Sequence, residues 1–190
     1  MVPELLLVFI LACPLVGPAL NLTLTSRLKA PTAGIIASAA AGLAFLGSLL
    51  QIVLLAQGPE EGFLHVHLLN WIAVGTLQVG WDLRADTLTA AMMAMVTGVG
   101  LLIHLYSIGY MRHDERFTRF FVYLNLFLAA MLLLVAADNY LVLFVGWEGV
   151  GVCSYLLIGF WFDKPDGQGC ATAPRRARRS SSTASATPGC

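Results

Sequence analysis

Asn139 to Phe162 reads NYLVLFVGWEGVGVCSYLLIGFWF. A helix crossing the roughly 30 Å hydrocarbon core of a bilayer needs about 20 apolar residues, and this run supplies them. Its one formal charge is Glu148, with Asp138 just before the run and Asp163 just after it. Glu148 falls ten positions past Asp138, which at helical rise is about 15 Å, half the depth of the core. A carboxylate at that depth costs about 2.5–3.5 kcal/mol on insertion scales. Burial penalises its charged form, so the group is suited to taking up and releasing a proton. Intramembrane acids usually mark ion pathways; the plainer alternative is a structural carboxyl hydrogen-bonded to a neighbouring helix. Gly146, Gly149, Gly151, Cys153 and Ser154 are small and would let a second backbone approach closely. Helical spacing puts Glu148 on one face with Phe144, Val145, Gly151 and Val152. That face is expected to meet other helices and not lipid.

The rest of the chain fits the same solvent. Of its 190 residues 58% are hydrophobic and 12% charged, with a mean hydropathy of +0.78. A soluble domain carries about twice that charged fraction. The net charge is zero, which says nothing about nucleic acid, and no nucleic-acid partner is expected. Cys13, Cys153, Cys170 and Cys190 lack metal-ligand spacing. There is no P-loop, no GxGxxG after a strand and no HExxH. The sequence offers no site for NAD, flavin or an iron–sulfur cluster.

Four further apolar runs precede the first. Leu5–Leu24 reads as a helix carrying Pro14 and Pro18, and Glu4 stands where a signal peptide would be positive. A basic loop with Arg27 and Lys29 leads to a second span, Ala33–Ala56. Ala85–Met111 is the third span and Phe120–Ala137 the fourth, with Asn125 its strongly polar residue. Between the second and third spans, Leu77, Val79, Trp81 and Leu83 alternate with Gln78, Gly80, Asp82 and Arg84. A period of two predicts a strand. With Asn70–Val74 and a turn at Gly75-Thr76 it makes a hairpin on the membrane surface, its Trp71 and Trp81 rings at the interface. Glu60, Glu61, His65 and His67 are expected to be solvated, and two histidines without a third ligand are a poor metal site.

Two lesser candidates accompany Glu148. His104 lies about 12 Å before Arg112 by helical rise, inside the apolar region, and could join a proton relay or be held between helices. Asp86 opens the third span, where a helix N-terminus favours negative charge. The basic loop residues Arg27, Lys29, Arg112, Arg116, Arg119 and Lys164 fall on one side and Arg84 on the other. Positive loops stay cytoplasmic, so the N-terminus is expected to face away from the cytoplasm.

Three stretches carry a family resemblance: TGVGLLIHLYSIGYM (Thr97–Met111), RFFVYLNLFLAAMLLLVAADN (Arg119–Asn139) and GWEGVGVCSYLLIGFW (Gly146–Trp161). Trp81 through Phe162 resembles the N-terminal part of the subunit L family of bacterial NADH–quinone oxidoreductase, respiratory complex I. Mitochondrial subunit 5 and the large Mrp-type antiporter subunit are its relatives. The resemblance implies an antiporter-like subunit at the distal end of the membrane arm, where proton pumping is coupled to quinone reduction elsewhere. It implies that Glu148 is part of the proton path, paired with a lysine on a later helix. It also implies other membrane-arm subunits and lipid as partners, residence in the inner (plasma) membrane, and NADH and quinone used outside this chain. The alternatives are a subunit of a sodium/proton antiporter, or a truncated product without function.

From Asp163 the pattern changes to DKPDGQGCATAPRRARRSSSTASATPGC. Its composition predicts a disordered tail. With suitable codons, shifting ARRSSSTASATPGC (Ala177–Cys190) by one nucleotide gives KAFIVNRVGDAGL, the family's continuation. A Ser codon TCN forces Phe, Leu, Ile or Val in the shifted frame, and these classes match in succession. The expected organisation is therefore a five-helix membrane region over residues 1–162 and a frameshifted, non-native tail over 163–190. The expected fold is an all-α integral membrane protein: five transmembrane helices, a short surface β-hairpin between helices two and three, and that tail.

Overall fold

Without water to satisfy its peptide groups, an apolar chain in lipid closes its hydrogen bonds within helices, and five long helices dominate here. The computed structural model describes residues 2–24, 30–57, 63–75, 77–112, 114 and 116–161. In chain order they are α1 (Val2–Leu24), α2 (Ala30–Gln57), β1 (Phe63–Val74), β2 (Leu77–Asp86), α3 (Thr87–Tyr110), α4 (Phe117–Ala136) and α5 (Tyr140–Ile158). All five helices are long and apolar enough to cross a membrane. The protein is an all-α membrane protein with a two-stranded hairpin between its second and third helices. α1 runs through both Pro14 and Pro18. The expected tail, the frame shift, and the loop residues Arg27, Lys29, Glu60, Glu61 and Lys164 lie outside the described residues.

The hairpin is longer than expected. Pairing runs from Phe63↔Asp86 to Val74↔Leu77, with irregularities after His67 and after Asn70. Leu64, Val66 and Leu68 alternate with His65 and His67 in the first half of β1, and the irregularities break that period only beyond His67. Gly75 takes φ +59° at the turn, a conformation glycine adopts without steric cost. Trp71 and Trp81 face each other with ring centroids 5.2 Å apart. His65 and His67, expected in a wet loop, are on β1 and pair with acids: His65 with Asp138 at 3.2 Å, His67 with Asp82. Ala85 and Asp86, expected in the third span, belong to β2.

One end of the helices is closed by this hairpin. Leu64, Leu83 and Ala85 bury themselves with Leu7 and Ile10 of α1, Met93 of α3, and Leu132 and Ala136 of α4. Polar bonds fix the α4–α5 turn to it. The Asp138 N–H donates to the Asp82 carbonyl at 3.2 Å. Asn139 does two things at once: its Oδ1 accepts from the Val142 N–H at 2.9 Å, capping α5, and its Nδ2 donates to the Gly80 carbonyl at 2.8 Å. Asn139→Ala loses a cap, about 1 kcal/mol, and a hydrogen bond of similar worth. Its unfolding free energy in mixed micelles should fall by about 1–2 kcal/mol, and Asn139→Asp, which keeps the cap, by about half that.

α1 packs on α2 and α4, and α2 on α3. A second unit begins at Ile158. Its described part is the last residue of α5 and a turn through Trp161, where the Phe160 and Trp161 rings meet edge-on at 6.1 Å.

Candidate functional site

α5 sits on α4 through a stripe of small residues. Val142, Gly146 and Cys153 are buried, at the helical spacing of one face. A Cβ on Gly146 would lie 2.7 Å from the backbone nitrogen of Leu134, and one on Gly149 would lie 3.1 Å from the Ala130 Cβ. Glu148, the ninth of the nineteen residues of α5, points off this stripe. It is exposed and lines a cavity of about 560 Å³ bounded by α1, the hairpin, α4 and α5. Leu11, Leu15, Trp81, Leu133 and Val152 also line it, and Glu148 is its one formally charged lining residue. Among the described residues Glu148 makes no hydrogen bond or ion pair.

The face that Glu148 shares with Phe144, Val145, Gly151 and Val152 is not the one seated on α4; its Val145 and Val152 line the cavity with Glu148. Phe144 is 58% exposed, Val152 is 56% exposed, and nothing lies within 4 Å of a Cβ built on Gly151. The reason is geometric: only one face of α5 can be seated on α4, and Gly146 with Gly149 takes it.

The other two candidates lie elsewhere. Asp86 is the N-cap of α3, its Oδ1 accepting from the Thr89 N–H at 2.7 Å. That backbone donor, opposed by partial burial and helped by the Thr89 side chain and Arg84, holds the carboxyl below the usual carboxylate range. A depressed carboxyl contributes stability at neutral pH, and loses it as pH falls through its folded value. Asp86→Ala should cost about 1 kcal/mol, read by denaturant titration at pH 7. Asp86→Asn, also a good cap, should lose only the charge-dependent part of that stability and leave any proton transport nearly unchanged.

His104 is fully buried on α3, with Nδ1 2.7 Å from the Gly100 carbonyl oxygen. It stands 18 residues beyond Asp86, about 27 Å along the helix, and does not line the Glu148 cavity. The three candidates thus form no single site. Other buried polar residues lie on the helices packed against α3: Asn125 of α4, and Ser48 and Gln51 of α2. Thr97 Oγ1 donates to the Met93 carbonyl at 2.6 Å and lies 3.4 Å from Ser48 Oγ. In the sequence Asn125 stands out only as a polar side chain within an apolar span.

The profile described as NADH-ubiquinone oxidoreductase (complex I), chain 5 N-terminus matches residues 71–121, and that of the NADH:quinone oxidoreductase/Mrp antiporter transmembrane region matches 137–181. NADH-quinone oxidoreductase subunit L of Mycobacterium tuberculosis is 47% identical over 169 residues, which are 88% of this chain and 26% of that protein. The Rhodobacter capsulatus subunit L is 50% identical over 137 residues, 68% of this chain and 19% of that protein. For Escherichia coli subunit L the figures are 42% over 153 residues, 80% and 25%.

The chain belongs to the subunit L family. It spans about a quarter of the length of the curated relatives it matches. The subunit L match contains all of α3 and α5, so Asp86, His104 and Glu148 fall inside the matched stretches. Gly17, Gln51 and Asn125 fall outside both stretches. Among the described residues no three His, Cys, Asp or Glu side chains gather as a metal site.

Proposed function

We propose that this chain forms the first helices of a membrane subunit of a proton-pumping NADH-quinone oxidoreductase, and that Glu148 carries the proton. The observation that supports this most is the setting of Glu148. It is the one formal charge of α5, unpaired among the described residues, and it faces an otherwise uncharged cavity. A carboxylic acid donates a proton and its carboxylate accepts one, which is the chemistry a proton path needs. His104 is the second candidate for proton transfer. Asp86 ranks last, since a carboxyl committed to capping stays ionised.

NADH and quinone would act on other subunits of the membrane and redox arms, and this chain would hold no cofactor. Its partners would be those membrane-arm subunits and lipid, in the inner (plasma) membrane. Arg112, Arg116 and Arg119 lie at the end where α3 leads into α4; by the positive-inside tendency that end is cytoplasmic and the N-terminus faces away. We take residues 163–190 as partly or wholly out of frame, against a profile match that runs to residue 181; the genomic DNA beyond codon 162 checks this directly.

One observation favours a second reading. The profile matching 137–181 covers Mrp antiporters as well, so a sodium/proton antiporter subunit fits the same helices. A tagged chain isolated from its membranes separates the two. Co-isolation of NADH-driven quinone reduction supports the oxidoreductase. Sodium-dependent proton exchange without NADH oxidation supports the antiporter. Isolation with neither would point to a product without function.

A further inference from the structure

Two buried acceptor atoms between α3 and α4 have no hydrogen to accept. His104 is 1% exposed, and its Nδ1 lies 2.7 Å from the Gly100 carbonyl oxygen. A carbonyl only accepts, so Nδ1 carries the proton of the neutral ring. Nε2 is then a bare lone pair, and it has no protein partner. Asn125, one turn past Phe121 on α4, is fully buried as well, and the Phe121 ring neighbours the imidazole. Asn125 Nδ2 donates to the Phe121 carbonyl at 3.3 Å, and Oδ1 is left without a partner.

The surroundings close this pair off. The Phe121 ring stands 6.0 Å from the imidazole. A Cβ on Gly17 would lie 3.2 Å from both Asn125 Nδ2 and the Ala40 Cβ, so α1 presses against the amide. Neither His104 nor Asn125 lines the cavity that Glu148 faces. Lipid offers no hydrogen to an orphaned acceptor. The pair therefore calls for a small neutral molecule with two hydrogens to give.

We infer that the α1–α4 core holds a water molecule between His104 and Asn125, donating one O–H to Nε2 and the other to Oδ1. Two polar partners suffice to hold a buried water. An ammonium or metal cation meets only acceptors too, but it would carry an uncompensated charge into apolar surroundings. The use of this water by a proton path rests on the proposed function; its presence does not. In such a path a hydronium passes its proton to Nε2, leaving neutral water and an imidazolium whose Nε2–H donates back to it.

Solid-state NMR of the full chain in lipid bilayers, labelled with 15N-histidine, tests this. The chain has four histidines, and loss of one signal in His104→Gln assigns the ring. A neutral ring protonated at Nδ1, with magnetisation passing from water to Nε2, is the expected result. Transfer should drop severalfold in Asn125→Leu, which keeps the bulk and removes Oδ1. A dry Nε2, transfer unchanged in Asn125→Leu, or a ring protonated at Nε2 and so able to pair with Asn125 directly, overturns the inference. None of these outcomes touches Glu148. Conversely, normal pumping by a Glu148→Gln variant would sink the proposed function and leave the water standing.

Discussion

Glu148→Gln should reduce NADH-driven proton uptake by inverted membrane vesicles at least about tenfold, since removing a positioned proton carrier commonly costs about 10²–10⁴-fold. Glutamine keeps the length and shape of glutamate and can still hydrogen-bond, but it cannot release a proton. The variant therefore separates a carrier from a structural carboxyl, which glutamine would replace well. Glu148 touches no protein hydrogen-bond partner among the described residues, so local folding gives no reason for the variant to be unstable. Removing a lone charge from an apolar setting should if anything ease insertion. Glu148→Asp keeps the exchangeable group on a shorter arm and should retain part of the uptake. Uptake can be followed with a pH-sensitive dye while NADH oxidation is followed by absorbance. Normal uptake in Glu148→Gln with the complex intact would refute the carrier role.

The helices were legible because lipid is a demanding solvent. Each run of about 20 apolar residues has one stable state there, and all five appear as expected, displaced by a few residues at their ends. The displacements have causes. Ala85 and Asp86 look helical by composition, but β2 continues through them until the Asp86 side chain caps α3. The second half of the hairpin was legible from the alternation after Leu77. Its first half alternates too, Leu64, Val66 and Leu68 against His65 and His67, but two histidines following Glu60 and Glu61 look like a solvated loop. The site was legible in part. A single acid in an apolar run draws attention by cost alone. Which way it points is decided by which glycines meet α4, and a sequence does not distinguish Gly146 from Gly151. His104 stood out by its residue type; its partner Asn125 is on another helix, and only the fold brings them together.

That distinction between glycines gives the second large effect. Gly146→Ala should destabilise the chain by about 1–3 kcal/mol, the usual cost of overpacking, whereas Gly151→Ala should be neutral or slightly stabilising. A Cβ at position 146 would fall 2.7 Å from the Leu134 nitrogen and 2.8 Å from its Cα. Both are backbone atoms inside α4, and neither can swing aside as a side chain would. α5 must move off α4 instead. Position 149 is intermediate, because the Ala130 Cβ is 3.1 Å from its built Cβ and a few tenths of an ångström of relaxation suffice. At 151 the built Cβ meets nothing within 4 Å, and alanine is the better helix former by about 1 kcal/mol. Unfolding of the three variants in mixed micelles should therefore rank 146 worst, 149 next and 151 best. Equal behaviour at 146 and 151 would mean that α5 does not approach α4 as described. The order matters for proton transport as well. The Gly146 contact fixes the rotation of α5 about its axis, and so turns Glu148 toward the cavity bounded by α1, the hairpin and α4. Gly146→Ala should accordingly impair proton uptake while leaving the carboxyl in place, and Gly151→Ala should not.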